Sequence, residues 1–148
     1  MKPRARPRHY EAQAQAALIT WMGYETRKHP ELAYLYSIPN DIRTTPRRAA
    51  RAKAMGMKAG VPDLCLPVPR GIWHGLYIEM KHGTNKATPA QEDFLRFLGR
   101  VGYATCVCYS AQIARDKILT YLNLPKPEEK ADVRVRPDQN ATPAAGSR

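Results

Sequence analysis

The sequence predicts a mixed α/β domain, a central sheet of about four strands flanked by helices. Three observations carry this. Apolar stripes at helical spacing occur in residues 9–27 and 89–101. Short apolar runs bounded by Pro, Gly and Asn lie between them. Thr88-Pro89 then marks a helix start inside the strand-rich half, a favoured N-cap followed by Pro at the first helical position. The order is helix, three strands, helix, strand, helix, which packs as helices flanking one sheet. At 148 residues the chain fits one domain, able to bury about two-thirds of its unfolded surface.

Residues 1–8, basic and Pro-rich, read as a flexible arm, and residues 9–124 as the domain. From His9 to about Arg27 the Ala- and Gln-rich run is helical, with Ala14, Leu18 and Trp21 on one apolar stripe. Glu11 lies on that same stripe, seven residues before Leu18. An acid there is either a first-turn residue favoured by the helix dipole or a functional group aimed inward. Leu32 to Ile38 reads as the first strand, stopped by Pro39-Asn40. Pro46 can open a short helix. Val61 to Leu66 is the second strand, broken by Pro67 and Pro69, and Gly75 to Lys81 the third. The polar turn His82–Lys86 leads into the helix from Pro89 to about Val101, whose core stripe is Phe94, Leu95 and Leu98. "YATCVCYS" forms the fourth strand. The helix from Ala111 to Leu124 closes the domain, with Ile113, Lys117, Leu119 and Leu122 mixing its faces. From Pro125 onward, four prolines, few hydrophobes and near-neutral charge predict a disordered tail.

Composition narrows the function. Lys and Arg number 24 against 13 Asp and Glu, a formal net charge of +11. A polyanion partner is the natural inference, nucleic acid foremost; charge alone also fits a basic protein with only non-specific affinity. No run of about 18 apolar residues suggests a membrane span. The N-terminus lacks the apolar core of a signal peptide, so a cytoplasmic location is expected. Three cysteines are an odd count without a disulfide framework. Cys106 and Cys108 are expected in the fourth strand, one on each face, as small buried hydrophobes rather than zinc ligands.

Asp63, Glu79 and Lys81 stand out because each sits in or beside an apolar run, where unpaired charge is costly. In a strand, Glu79 and Lys81 point the same way, about 6.6–6.8 Å apart along the backbone. Leu76, Ile78 and Met80 then supply the core face, while Tyr77 shares the charged face and is expected to pack. If the second and third strands pair as a hairpin, Asp63 and Glu79 converge. Two close carboxylates repel unless a cation sits between them. With Lys81 beside them to orient water or balance phosphate charge, they make a phosphodiester hydrolysis site. An interstrand salt bridge to Lys81 is the other reading of the same triplet. The run 41–59 carries Arg43, Arg47, Arg48, Arg51, Lys53 and Lys58 against Asp41 alone, a net +5. It reads as a phosphate-contacting segment or as a solvated face; Lys86 in the polar turn is a further candidate.

The matching strings are Glu11 on the first helix, "IPN" at 38–40, "MKAGVPDLCL" at 57–66, "LYIEMKH" at 76–82, "TPAQEDFLRFL" at 88–98 and then "GYATCVCYS". In this order the sequence resembles the virus-type replication-repair nuclease (VRR-NUC) family of the PD-(D/E)xK superfamily, over roughly residues 9 to 123. The resemblance implies a restriction-endonuclease-like core, dependence on Mg2+ or Mn2+, and cleavage of DNA, often branched. It implies that Glu11, Asp63 and Glu79 hold the metal with the backbone carbonyl of Met80, that Lys81 is the catalytic lysine, and that Gln91 supports the site by hydrogen bonding.

The likeness is to the free-standing viral or bacterial type, which implies a homodimer resolving four-way junctions and no small-molecule cofactor. A two-fold dimer would supply the two symmetric cuts a junction needs. Tyr34, Tyr36, Ile72 and Trp73 are candidate interface or core residues, with the two tyrosines expected in the core. The competing classes are a non-catalytic nucleic-acid-binding module and a nuclease of the same fold acting on RNA or plain duplex.

Overall fold

The computed structural model describes residues 7–39 and 45–128. Nine elements follow in order: α1 (Pro7–Glu25), a 3-10 turn (Pro30–Tyr34), β1 (Tyr36–Ser37), α2 (Pro46–Ala54), β2 (Leu64–Leu66), β3 (Leu76–Met80), α3 (Pro89–Arg100), β4 (Ala104–Cys108) and α4 (Ala111–Leu122). The four strands form one sheet in the order β1-β2-β3-β4. β1 and β3 run antiparallel to β2, and β4 runs parallel to β3. α3 makes the crossover that a parallel pair requires. The expected mixed sheet and the β2–β3 hairpin are present.

The core follows the two-residue alternation of the strands. Leu64 and Leu66 of β2, Leu76, Ile78 and Met80 of β3, and Cys108 of β4 are buried on one face. Leu18 and Met22 of α1 and Ala114, Ile118, Tyr121 and Leu122 of α4 pack with them, flanked by the half-buried Ala14 and Trp21. Burying a large aliphatic side chain contributes about 1.5–3 kcal/mol, so this layer holds α1 and α4 against β3. α3 packs on β4 with Leu98 buried and Phe94 and Leu95 half-buried.

Several expectations are corrected. Helix α1 already includes Pro7 and Arg8, two residues expected in the arm; residues 1–6 lie outside the described residues. Leu32 belongs to a 3-10 turn opened by Pro30, and the first strand is only Tyr36–Ser37. The reason is burial: Leu32 and Leu35 both reach the core, and a tight turn brings residues three apart onto one side. This leaves Tyr34 and Tyr36 at 68% and 50% exposure, on the surface instead of in the core. β2 starts at Leu64, one residue after Asp63, although the Ile38 N–H still donates to the Asp63 carbonyl at 2.8 Å.

In α4 the buried residues are Ala114, Ile118, Tyr121 and Leu122, whereas Ile113 is exposed. Cys106 and Cys108 share a face, their sulfurs 3.7 Å apart, because residues i and i+2 of a strand point the same way. Pro125 and Lys126 are tied to the body, the former accepting from Gly71 N–H at 2.7 Å and the latter 3.6 Å from Glu31. The rest of the expected tail, 129–148, lies outside the described residues. No described helix is long and apolar enough to cross a membrane.

Candidate active site

Strand β3 sets the site by alternation. Its core-facing residues are Leu76, Ile78 and Met80, so Tyr77 and Glu79 point to the opposite face of the sheet, and Lys81 follows on that side just past the strand. Tyr77 packs edge-on against Tyr103, ring centroids 5.3 Å apart, as expected. Glu79 is 1% exposed and Lys81 8%. The Lys81 ammonium sits 2.7 Å from Glu79 Oε1.

The antiparallel register, Leu64 opposite Ile78, brings Asp63 to the end of β3. There the Met80 N–H donates to Asp63 Oδ2 at 2.7 Å. Glu11 and Gln91 complete the walls. A cleft of about 470 Å3 is lined by Glu11, Asp63, Glu79, Met80, Lys81 and Gln91, the full set expected from the sequence. They come from α1, the lead into β2, β3 and its exit, and α3.

Gln91 is aimed by the cap of its own helix. Its side-chain oxygen accepts from the Thr88 N–H at 2.8 Å, and its backbone N–H donates to Thr88 Oγ1 at 3.4 Å, a capping box. With its oxygen engaged, the amide presents its nitrogen outward, and Nε2 donates to Glu79 Oε1.

Two contacts that single-residue reading missed position the site. Gly60 has φ +87°, and a Cβ there would stand 2.5 Å from the Ala90 carbonyl oxygen. Only glycine lets the loop bearing Asp63 lie this close to the start of α3. The Tyr10 and His82 rings stack at 4.4 Å, fastening the α1 turn that carries Glu11 to the residue after Lys81. Motif spacing carries no signal for this stack.

Burial and charge shape the carboxylates. Burial pushes Glu79 up to about 7; the Lys81 hydrogen bond and charge oppose this, while Asp63 and Glu11 reinforce it. Asp63 is also raised, by burial first, against the Met80 N–H and Lys81 and with the help of Glu11. Both acids thus favour neutralisation in the absence of further positive charge.

Glu79 Oε2 is buried without a hydrogen-bond partner among the described residues, a costly arrangement that invites an explanation. Asp63, Glu79 and the Met80 carbonyl are hard oxygen donors of the kind that hold Mg2+ or Mn2+, so the residues fit such an ion. Among the described residues, no three His, Cys, Asp or Glu side chains gather as a ready metal cluster. Glu11 therefore lines the cleft without completing one.

Apart from Lys81, none of the described basic candidates lines this cleft. Arg47, Arg48, Arg51 and Lys53 are exposed on α2, which has no buried residue, and Lys58 and Lys86 are exposed on the loops that follow α2 and β3. Arg43 lies outside the described residues. The turn between β2 and β3, with Trp73 half-buried against the core, is held by a residue the sequence did not single out. Arg70 is 4% exposed; it pairs with Glu31 and donates to the Leu122 carbonyl at 3.2 Å.

Comparison with known proteins agrees with this fold. The VRR-NUC domain family model matches residues 5–112. A solved structure described as a "VRR_NUC domain protein" is 33% identical, with a TM-score of 0.67 over 78% of this chain and 90% of that one. No protein of curated function matches.

Proposed function

This chain belongs to the VRR-NUC domain family, a nuclease family, and we propose that it is a divalent-metal-dependent endonuclease hydrolysing DNA phosphodiester bonds. The observation that carries this reading is the buried, unpartnered Glu79 Oε2 beside Asp63 and Lys81. Asp63, Glu79 and the Met80 carbonyl would hold Mg2+ or Mn2+, with Glu11 as the acid reaching in from α1. When bound, the ion supplies Lewis-acid polarisation at the scissile phosphate.

The chain's own residues do the rest. The Met80 N–H fixes one Asp63 oxygen, leaving the other to the cleft. Gln91 and Lys81 both engage Glu79 Oε1, which leaves Oε2 as the oxygen for a cation. Lys81, with three donor protons, can orient the attacking water or balance charge on the phosphate. A purely structural salt bridge would explain the Lys81–Glu79 contact but not the orphaned Oε2, and this weighs against a non-catalytic binding module.

Branched DNA and action as a homodimer are the finer parts of the proposal. They rest on the family resemblance and on the need for two symmetric cuts at a four-way junction. The exposed α2 cations would hold the flanking phosphates.

The test is a panel of duplex, single-stranded, flap, four-way-junction and RNA substrates with Mg2+, Mn2+ or EDTA, run with sedimentation of the protein with and without junction. Cleavage is expected only with metal and best on a branched DNA. Asp63→Ala and Glu79→Ala should bind DNA about as well as wild type yet barely cut it, and Lys81→Ala should lose turnover. Full cleavage by Glu79→Ala would remove the site assignment. A monomer nicking duplex and junction equally would sink the dimeric resolvase idea alone.

A further inference from the structure

The catalytic cleft shares a wall with a second groove that the mechanism leaves unused. This groove, about 480 Å3, is lined by Ile38 and Pro39, by Ala52 and Met55 of the α2 end, and by Met57 and Val61. Ile38 and Pro39 also line the catalytic cleft, so the two grooves lie along one short wall. The volume lies within the range of small-ligand sites. The lining is almost wholly apolar, with Lys58 as its one charged member.

Local structure explains the shape. α2 stops at Met55, and Gly56 at φ +92° turns the chain in the left-handed region. The Met57 N–H returns to the Ala52 carbonyl at 3.0 Å. Met55 and Met57 are thereby both kept at the groove, and Met55 remains 76% exposed. Outside it stand the exposed cations of α2, Arg47, Arg48, Arg51 and Lys53.

A groove this apolar, with Lys58 in its lining and one wall formed by a helix bearing exposed cations, suits a flat ring system hung from a polyanionic chain. Thioethers and small aliphatic side chains adapt to planar rings, and enzymes that hold an extrahelical base stack it between apolar or aromatic groups. We propose that this groove seats one unpaired nucleobase of the DNA strand being cut, next to the phosphate in the catalytic cleft. The proposal rests on the nuclease reading and deepens it. A flap offers a base that is already unpaired, whereas a paired duplex or junction arm must first spend free energy to release one. Selectivity for branched DNA then arises inside the domain, beside the chemistry.

The experiment uses the full chain with Ca2+ in place of Mg2+, and DNA flaps carrying either an abasic residue or 2-aminopurine at successive unpaired positions near the branch. Binding is read by anisotropy and base environment by 2-aminopurine emission. At one position, removing the base while keeping its phosphate should weaken wild-type binding about tenfold, the scale of one lost stacked base. The 2-aminopurine signal should change at that same position on binding. Ala52→Phe, which fills the groove, should abolish both effects yet leave affinity for fully paired duplex within about twofold. Met55→Ala, at an exposed position, should reduce the emission change if Ala52→Phe proves unstable. Abasic sites without effect at every position, or equal weakening of flap and duplex by Ala52→Phe, overturn the proposal while the nuclease reading stands. A chain that binds no DNA overturns both.

Discussion

Gln91 donates through Nε2 to Glu79 Oε1 while its own side-chain oxygen accepts from the Thr88 N–H. One amide therefore ends a helix and aims a buried carboxylate. Gln91→Glu tests this coupling, because Glu at the third helical position also completes a capping box. The variant should melt within a few degrees of wild type but place a like charge against Glu79. Its cleavage should need more metal and a higher pH. Gln91→Ala should instead lose both functions, with about 0.5–1 kcal/mol of stability and a loss of turnover. Equal metal requirement in wild type and Gln91→Glu would show that the contact does not tune the site.

The raised Glu79 makes a pH prediction with a definite sign. Its folded value of about 7 lies above its ordinary value of 4.5, so the folded state binds more protons between these pH values. Stability of the metal-free protein is then fully present below about pH 4.5 as far as this group is concerned, and it falls as pH rises to about 7. The size is about 1–3 kcal/mol. Metal affinity should run oppositely, rising through pH 7 as Glu79 gives up its proton. Thermal melts across pH 5–8 with and without Mg2+ check both slopes. Glu79→Gln should flatten the metal-free slope and raise stability at pH 8.

Much of this site was legible because β structure converts spacing into direction. The alternation Leu76, Ile78, Met80 against Tyr77, Glu79, Lys81 fixed which side chains could meet, and Thr88-Pro89 fixed where α3 and hence Gln91 begin. The failures came where tertiary burial overrode local preference. Tyr34 and Tyr36 favour a strand by composition, but Leu32 and Leu35 both had to reach the core, so a 3-10 turn formed. Nothing in the sequence singles out Arg70, because its partners Glu31 and Leu122 are brought to it only by the fold. The Cys106–Cys108 expectation went against the strand period itself.

Gly60 gives a stability prediction at the junction of two site-bearing segments. Gly60→Ala adds a Cβ 2.5 Å from the Ala90 carbonyl oxygen on a backbone of φ +87°. Both the close approach and the left-handed conformation oppose it, so a loss of about 1–3 kcal/mol is expected. The clash should also push the Asp63 loop from α3. Turnover of the folded variant should therefore fall more than DNA binding does. Urea titration and single-turnover cleavage measure the two effects, and a variant of wild-type stability would show that the loop relaxes freely.

The α2 cations separate phosphate contact from a merely solvated face. Arg47, Arg48 and Arg51 are exposed, have no part in the core, and lie on the helix whose end lines the groove that shares Ile38 and Pro39 with the catalytic cleft. Replacing all three with Gln should leave the melting temperature nearly unchanged, because no buried contact is lost. If each neutralises a phosphate, the log–log salt dependence of duplex binding should flatten by about 0.9 per residue. Binding should weaken at every sequence alike, since phosphate contacts position the protein without reading bases. The cleaved position should stay where it was, because Asp63, Glu79 and Lys81 are untouched. An unchanged salt slope would assign the run to solvent and move the search for the DNA-binding surface to Lys58 and Lys86, on the loops after α2 and β3.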